Sequence, residues 1–320
     1  MMKKKRHILL VSSLLLATVV GCMVKFHETD DRPKVAVVLK KSDSQYWSIV
    51  EAGAEEGFRK FDIDGKVVAP SNKSKKDVLE YTLKSVLNEH PDVLVVSPTE
   101  SPAVQSVLQE FAENKIPVIL VDTDIPWEHK TTYIGTDNFD LGRKAGELLA
   151  SQLQPGDEVA LPFLAEDLTH SVVRERIKGA TFSLENAGIK VVTEQAKVSN
   201  ESSAIRKAMT TILQKHPNIK GVYATNDPKA IYALDVIKEK GLKMPVIGAD
   251  GIIEMMELIE DGTLPDTVAQ NPYDMGYISI ETALKVIKGE GVKRNIDTGV
   301  DIISQDNAKL KLDFLRELSK

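Results

Sequence analysis

A seven-residue step leading out of a helix and into a strand occurs twice in this chain. Leu87-Asn88-Glu89-His90-Pro91-Asp92-Val93 is echoed 126 positions later by Leu213-Gln214-Lys215-His216-Pro217-Asn218-Ile219. Downstream of each copy, Ile116-Pro117-Val118-Ile119 leads to Asp122 and Met244-Pro245-Val246-Ile247 leads to Asp250, an interval of 128. A repeat of this length is a domain-sized unit, so the 320 residues predict two similar α/β domains. From Lys34 onward, apolar strand-like runs alternate with helical stretches in the manner of βαβ units. Val35-Ala36-Val37-Val38-Leu39 is followed by residues 46–61, in which Trp47, Val50, Ala54, Phe58 and Phe61 share one helical face. Further strand candidates are residues 93–96, 118–121, 158–161, 191–193, 221–224, 246–248 and 267–269. Short runs buried on both faces by intervening helices imply parallel sheets.

Open parallel sheets bind ligands beyond the carboxyl ends of their strands. Asp122 and Asp250 follow strand candidates at matching places in the two copies, so facing domains would direct both acids into one cleft. Either acid alone reads as a helix N-cap; the paired occurrence favours a shared site.

The N-terminus carries Lys3, Lys4, Lys5 and Arg6 ahead of an apolar run at residues 8–20. Thirteen residues are too few to cross a bilayer comfortably, which takes about 20, and the pattern is that of an export signal. The run closes on Val19-Val20-Gly21-Cys22, and Cys22 is the only cysteine. This segment resembles the lipobox of bacterial lipoproteins, which implies a signal peptide over residues 1–21, acylation of Cys22 and a polar tether over residues 22–33. The expected location is extracytoplasmic, lipid-anchored to the cell membrane. Without residues 1–21 the chain has 37 basic and 47 acidic residues, a net charge of −10, which argues against nucleic acid as a partner. A single cysteine forms no internal disulfide, so stability rests on packed cores.

Four segments carry a wider resemblance: Tyr133-Ile134-Gly135-Thr136-Asp137-Asn138 with Gly142 and Gly146; Val222-Tyr223-Ala224-Thr225-Asn226-Asp227; Val246-Ile247-Gly248-Ala249-Asp250-Gly251; and Thr267-Val268-Ala269-Gln270-Asn271-Pro272. In this order, over residues 34–304, the chain resembles the type I periplasmic sugar-binding proteins, the ribose/galactose-like solute receptors of ABC importers. The resemblance implies two doubly wound parallel-sheet domains joined by a three-strand hinge. The lobes would be residues 34–136 plus 271–297 and residues 137–270 plus 298–320. It also implies a sugar or polyol as ligand, hinge closure, a monomer, no cofactor, and an ABC permease or a membrane sensor kinase as partner.

A sugar needs hydrogen-bond partners for its hydroxyls and a flat apolar wall for its C–H faces. The resemblance assigns these roles to Tyr46, Trp47, Asp122, Arg174, Asn226, Asp250 and Gln270. Plainer readings stand beside them. Trp47 fits the core face of its helix, Arg174 in Val172-Val173-Arg174-Glu175-Arg176 fits a solvated helix charge pair, Asn226 fits a cap ahead of Pro228, and Gln270 fits a turn. Ser44, Ser97, Thr123 and Asn200 depart from the family's ribose pattern, which points to a ligand other than ribose, such as a hexose, a polyol or a furanosyl signalling molecule. Asp122-Thr123-Asp124 could suggest a cation site, but a hard cation wants about six oxygens and no loop supplies them in sequence, so no metal is expected. Two carboxylates in a cleft also suit a glycosidase. Against an enzyme, the chain has no Gly-x-Ser-x-Gly elbow, no His-Glu-x-x-His and no phosphate-binding glycine loop, and its six histidines are scattered.

Overall fold

The structure is a computed structural model that describes residues 32–42, 44–70, 78–196 and 201–318. The signal-like segment with Cys22, most of the tether, and Asn200 lie outside the described residues. Among those described, no helix is long and apolar enough to cross a membrane.

The first sheet is built by β1 (Lys34–Val38), β2 (Asp64–Val68), β3 (Val93–Val96), β4 (Val118–Val121), β5 (Thr132–Gly135) and β11 (Asn295–Asp297), in the order β11-β5-β4-β3-β1-β2. Every neighbouring pair is parallel. Alternation along each strand divides its side chains between two cores. Val35, Val37, Val93, Val95, Ile119 and Val121 pack under α1 (Gln45–Phe61) and α9 (Pro272–Ile287). Ala36, Val38, Leu94, Val96, Val118 and Leu120 pack under α2 (Val78–Leu87) and α3 (Pro102–Glu113). The central strands are apolar throughout because both faces are covered.

The second lobe repeats the scheme with β6 (Glu158–Leu164), β7 (Lys190–Ala196), β8 (Ile219–Tyr223) and β9 (Val246–Ile247), all parallel in the order β7-β6-β8-β9. Helices α4 (Asn138–Ala150) and α5 (Ser171–Asn186) cover one face; α6 (Glu201–Lys215) and α7 (Asp227–Glu239) cover the other. Beside β9 runs β10 (Asp266–Gln270), tied to it where the Gly248 N–H donates to Thr267 Oγ1 at 3.0 Å. The sequence reading of parallel sheets needs one correction, because β10 pairs antiparallel with β12 (Val300–Ser304). β12 arrives from the first lobe through β11 and the turn at Gly299, so it enters its sheet from the opposite end. The chain passes between lobes after β5, after β10 and after β11. The helices α8 (Ile253–Glu260) and α10 (Gln305–Leu318) pack on each other, and α10 buries Ala308, Leu312 and Leu315. Residues 34–320 form one compact unit.

Each lobe owes its tightest helix contact to glycine. A Cβ on Gly142 of α4 would lie 2.1 Å from the Arg176 carbonyl oxygen, and one on Gly179 of α5 would lie 2.1 Å from that of Phe139. The backbones therefore touch, and the turn of α5 that carries Arg176 is set against α4. Replacing Gly142 with alanine forces α4 and α5 apart; the expected loss is about 1–3 kcal/mol, typical of overpacking, read as a lower urea midpoint with an unchanged slope.

Candidate functional site

The carboxyl edge of the first sheet carries an acid in a special conformation. Asp122 follows β4 with φ of 65°, a left-handed torsion that turns the chain sharply as the strand ends. Its carboxylate is surrounded by donors. The Tyr46 hydroxyl donates to Oδ1 at 2.8 Å, and the Thr123 and Ser97 hydroxyls donate to Oδ2 at 2.8 and 3.5 Å. The Lys40 ammonium lies 3.5 Å from Oδ2 and also donates to Thr123 Oγ1. Tyr46 and Trp47, at the start of α1, form an edge-to-face pair with centroids 5.2 Å apart, and both are buried. Ser44, just before that helix, is half-buried, and its carbonyl accepts from the Ser48 N–H at 3.0 Å.

The second lobe supplies a matching group. Asp250 follows β9, and its Oδ1 accepts from Arg176 Nη1 at 3.2 Å and from Gln270 Nε2 at 2.9 Å. Gln270 is itself oriented by the Thr136 hydroxyl, which donates to its Oε1 at 2.9 Å. Arg176 is fixed at three points, since Nη1 also donates to the Thr225 carbonyl at 2.7 Å and Nε donates to Asn138 Oδ1 at 2.9 Å. Asp250 Oδ2 has no hydrogen-bond partner among the described residues.

The charges of the two groups act on each other. Burial first, then the charges of Asp122 and Asp250, push the Tyr46 hydroxyl well above the ordinary phenol range. Burial works against the Arg176 cation, but Asp250, Tyr223, Tyr46 and Asp122 outweigh it and raise its pKa. Around the mouth the lobes touch. The Ser171 N–H at the start of α5 donates to Glu100 Oε1 at 2.5 Å, Arg174 Nη2 lies 3.9 Å from Glu100 Oε2, and the Ile253 N–H donates to Gln45 Oε1 at 3.2 Å.

The sequence reading placed Arg174 among the residues inside the cleft; the structure puts it at the rim. Two helical positions rotate a side chain by about 200°, so of Arg174 and Arg176 only one can face inward. Arg176 does, with its side chain 5% exposed, whereas that of Arg174 is 39% exposed and donates to the Leu168 carbonyl. Asn226 is half-buried and caps α7, its Oδ1 accepting from the Lys229 N–H at 3.0 Å. Tyr46, Trp47, Asp122, Ser97 and Thr123 are assembled on one shore, and Asp250 and Gln270 on the other. Lys40, Arg176 and Asp227 were missed. Arg176 was legible in the same Arg-Glu-Arg run, while a lysine after a strand carries no signal in a single sequence. No cluster of metal-ligating side chains occurs among the described residues.

Asp227 organises the loop that presents Asp250. It is fully buried, and its Oδ1 accepts from the Ala249 and Asp250 N–H groups at 2.8 and 3.1 Å, while Oδ2 accepts from Gly251 and Ile252 at 2.6 and 2.9 Å. Burial, then the charge of Asp250, push this carboxyl up to about 7, and the converging N–H groups pull the other way.

A family model for the periplasmic binding protein domain matches residues 35–291, and the chain belongs to that family. It is 26% identical to the ribose import binding protein of Bacillus subtilis over 95% of this chain and all of that one. An ABC transporter periplasmic solute-binding protein from Actinobacillus succinogenes with bound D-allose superposes with a TM-score of 0.77 at 26% identity, covering 87% of this chain and all of the other. A carbohydrate transporter solute-binding protein from Agrobacterium radiobacter in complex with D-arabinose gives 0.78 at 27% identity, covering 89% and 99%. The fold is that of type I periplasmic binding proteins.

Asp227→Asn replaces one acceptor oxygen with a donor and strands two of the four loop N–H groups, at about 1–3 kcal/mol each. Amide hydrogen exchange at residues 249–252 is expected to accelerate in this variant while the strands of the first lobe keep their protection.

Proposed function

We propose that this protein is an extracytoplasmic solute receptor that captures a neutral sugar or polyol between its lobes and delivers it to an ABC importer. The observation that carries this reading is the pair of opposed acids. Asp122 is buried and Asp250 half-buried, each with a cation and amide or hydroxyl donors; they come from different lobes, and Asp250 Oδ2, which has no hydrogen-bond partner among the described residues, is available to a ligand hydroxyl. Tyr46 and Trp47 add the aromatic surface that a sugar's C–H face packs on. Membership of the binding-protein family and likeness to proteins described with ribose, D-allose and D-arabinose support the same ligand class.

The lobes in this proposal are residues 34–136 plus 271–297 and residues 137–270 plus 298–320. Ligand first meets one lobe, and the contacts across the mouth stabilise closure around it. The protein acts as a monomer, held at the membrane by acyl groups on Cys22. Two acyl chains suffice for stable anchoring.

Isothermal titration of the full-length chain with D-ribose, D-allose, D-arabinose and xylitol tests the capture. Saturable binding of at least one is expected, and silence across the panel refutes the assignment. Asp250→Ala and Arg176→Ala should each weaken that binding by about 2–5 kcal/mol, the cost of leaving a buried charge without its partner, while Arg174→Ala should have the smaller effect of a rim residue. Cys22→Ser should move the protein from the membrane to the soluble fraction of cells; retention there refutes the anchor.

A further inference from the structure

Lys40 stands in the cleft on the shore of Asp122. It lies two residues past β1, where the Leu39 N–H donates to the Val68 carbonyl at 3.0 Å and so extends the sheet to the edge of the site. Its ammonium lies 3.5 Å from Asp122 Oδ2, donates to Thr123 Oγ1, and sits 5.8 Å from the Trp47 ring centroid. The side chain is 28% exposed, so the amine is neither core nor freely solvated. Thr123 and Asp122 use two of its three N–H bonds, and the third has no partner among the described residues.

Charge accounting gives this placement a meaning. Asp122 is matched by Lys40 and Asp250 by Arg176, one pair on each shore. The two pairs that border the cleft are therefore neutral, and a guest carrying its own charge finds its counter-charge there already matched. An uncharged polyol can share these groups through hydrogen bonds at little electrostatic cost. A protonated amino sugar would set a third cation beside Lys40 and Arg176.

Resting on the sugar-capture reading, we infer that Lys40 is a specificity-determining residue that restricts the cleft to uncharged hydroxylated ligands and excludes protonated amino sugars. Arg176 cannot be tested for this role separately, because it also ties Asn138, Thr225 and Asp250 together. Lys40 can be, because Tyr46, Ser97 and Thr123 still hold the Asp122 carboxylate when the amine is gone.

The test uses the full-length wild type, Lys40→Met and Lys40→Arg. Each is titrated with the best-binding of D-ribose, D-allose, D-arabinose and xylitol, and with its amino-deoxy analogues, the amine at each hydroxyl position in turn. In Lys40→Met the preference for the neutral compound over at least one analogue should fall by roughly tenfold or more, the scale of one unit charge at close range. Lys40→Arg should keep the wild-type preference, and thermal unfolding should show all three proteins folded. An unchanged preference in folded Lys40→Met, or an equal loss in Lys40→Arg, overturns the role of Lys40 and leaves sugar capture standing. Failure of the wild type to bind any of the four neutral compounds overturns sugar capture and this inference together.

Discussion

A carboxylate can be kept out of water only where hydrogen-bond donors, with or without a full positive charge, replace its hydration, and that requirement governs this molecule's interior. Beside the buried Asp167–Lys229 pair, three carboxylates near sheet edges meet it differently. Asp122 has hydroxyls and an ammonium, Asp250 has a guanidinium and an amide, and Asp227 has four backbone N–H groups and, among the described residues, no side-chain donor. The third arrangement is structural and the first two border the cleft. A carboxylate bonded wholly to backbone freezes a loop, whereas Asp250, bonded through Oδ1 to side chains, keeps an Oδ2 without a hydrogen-bond partner among the described residues.

The same division runs through the packing. The α4–α5 and α1–α9 pairs are brought to backbone contact by glycine, with a Cβ on Gly276 lying 2.0 Å from the Val50 carbonyl oxygen as Gly142 lies against Arg176. These pairs make each lobe stiff. By contrast, the lobes meet around their mouth through a few polar contacts such as Ser171 with Glu100 and Ile253 with Gln45. Rigid halves joined by three strands and latched by polar contacts are suited to opening and closing as units.

Much of this was legible in the sequence because the repeat recorded it. The twin steps at Leu87 and Leu213 lead into β3 and β8, and the two acids follow β4 and β9 at the edges where open sheets bind. Strands β2, β11 and β12 were not legible. Apart from buried Ile303, their Asp64–Val68, Asn295–Asp297 and Val300–Ser304 residues are half-buried or exposed, so no long apolar run marks them. The inward arginine needed a helical phase that residue type alone does not supply, since both Arg174 and Arg176 suit a hydroxylated ligand chemically. The partnership of Lys40 with Asp122 joins residues far apart in the chain, and only the folded sheet brings them together.

The left-handed backbone at Asp122 narrows what this position accepts. Asparagine, aspartate and glycine tolerate such a torsion far better than other residues, and of these only aspartate brings a negative charge. Glutamate would keep the charge, yet its longer arm and poorer fit to that turn oppose it. Chain geometry and guest chemistry thus converge on one amino acid here, so drift toward new ligands has to proceed through the neighbours of Asp122 before it reaches the acid itself.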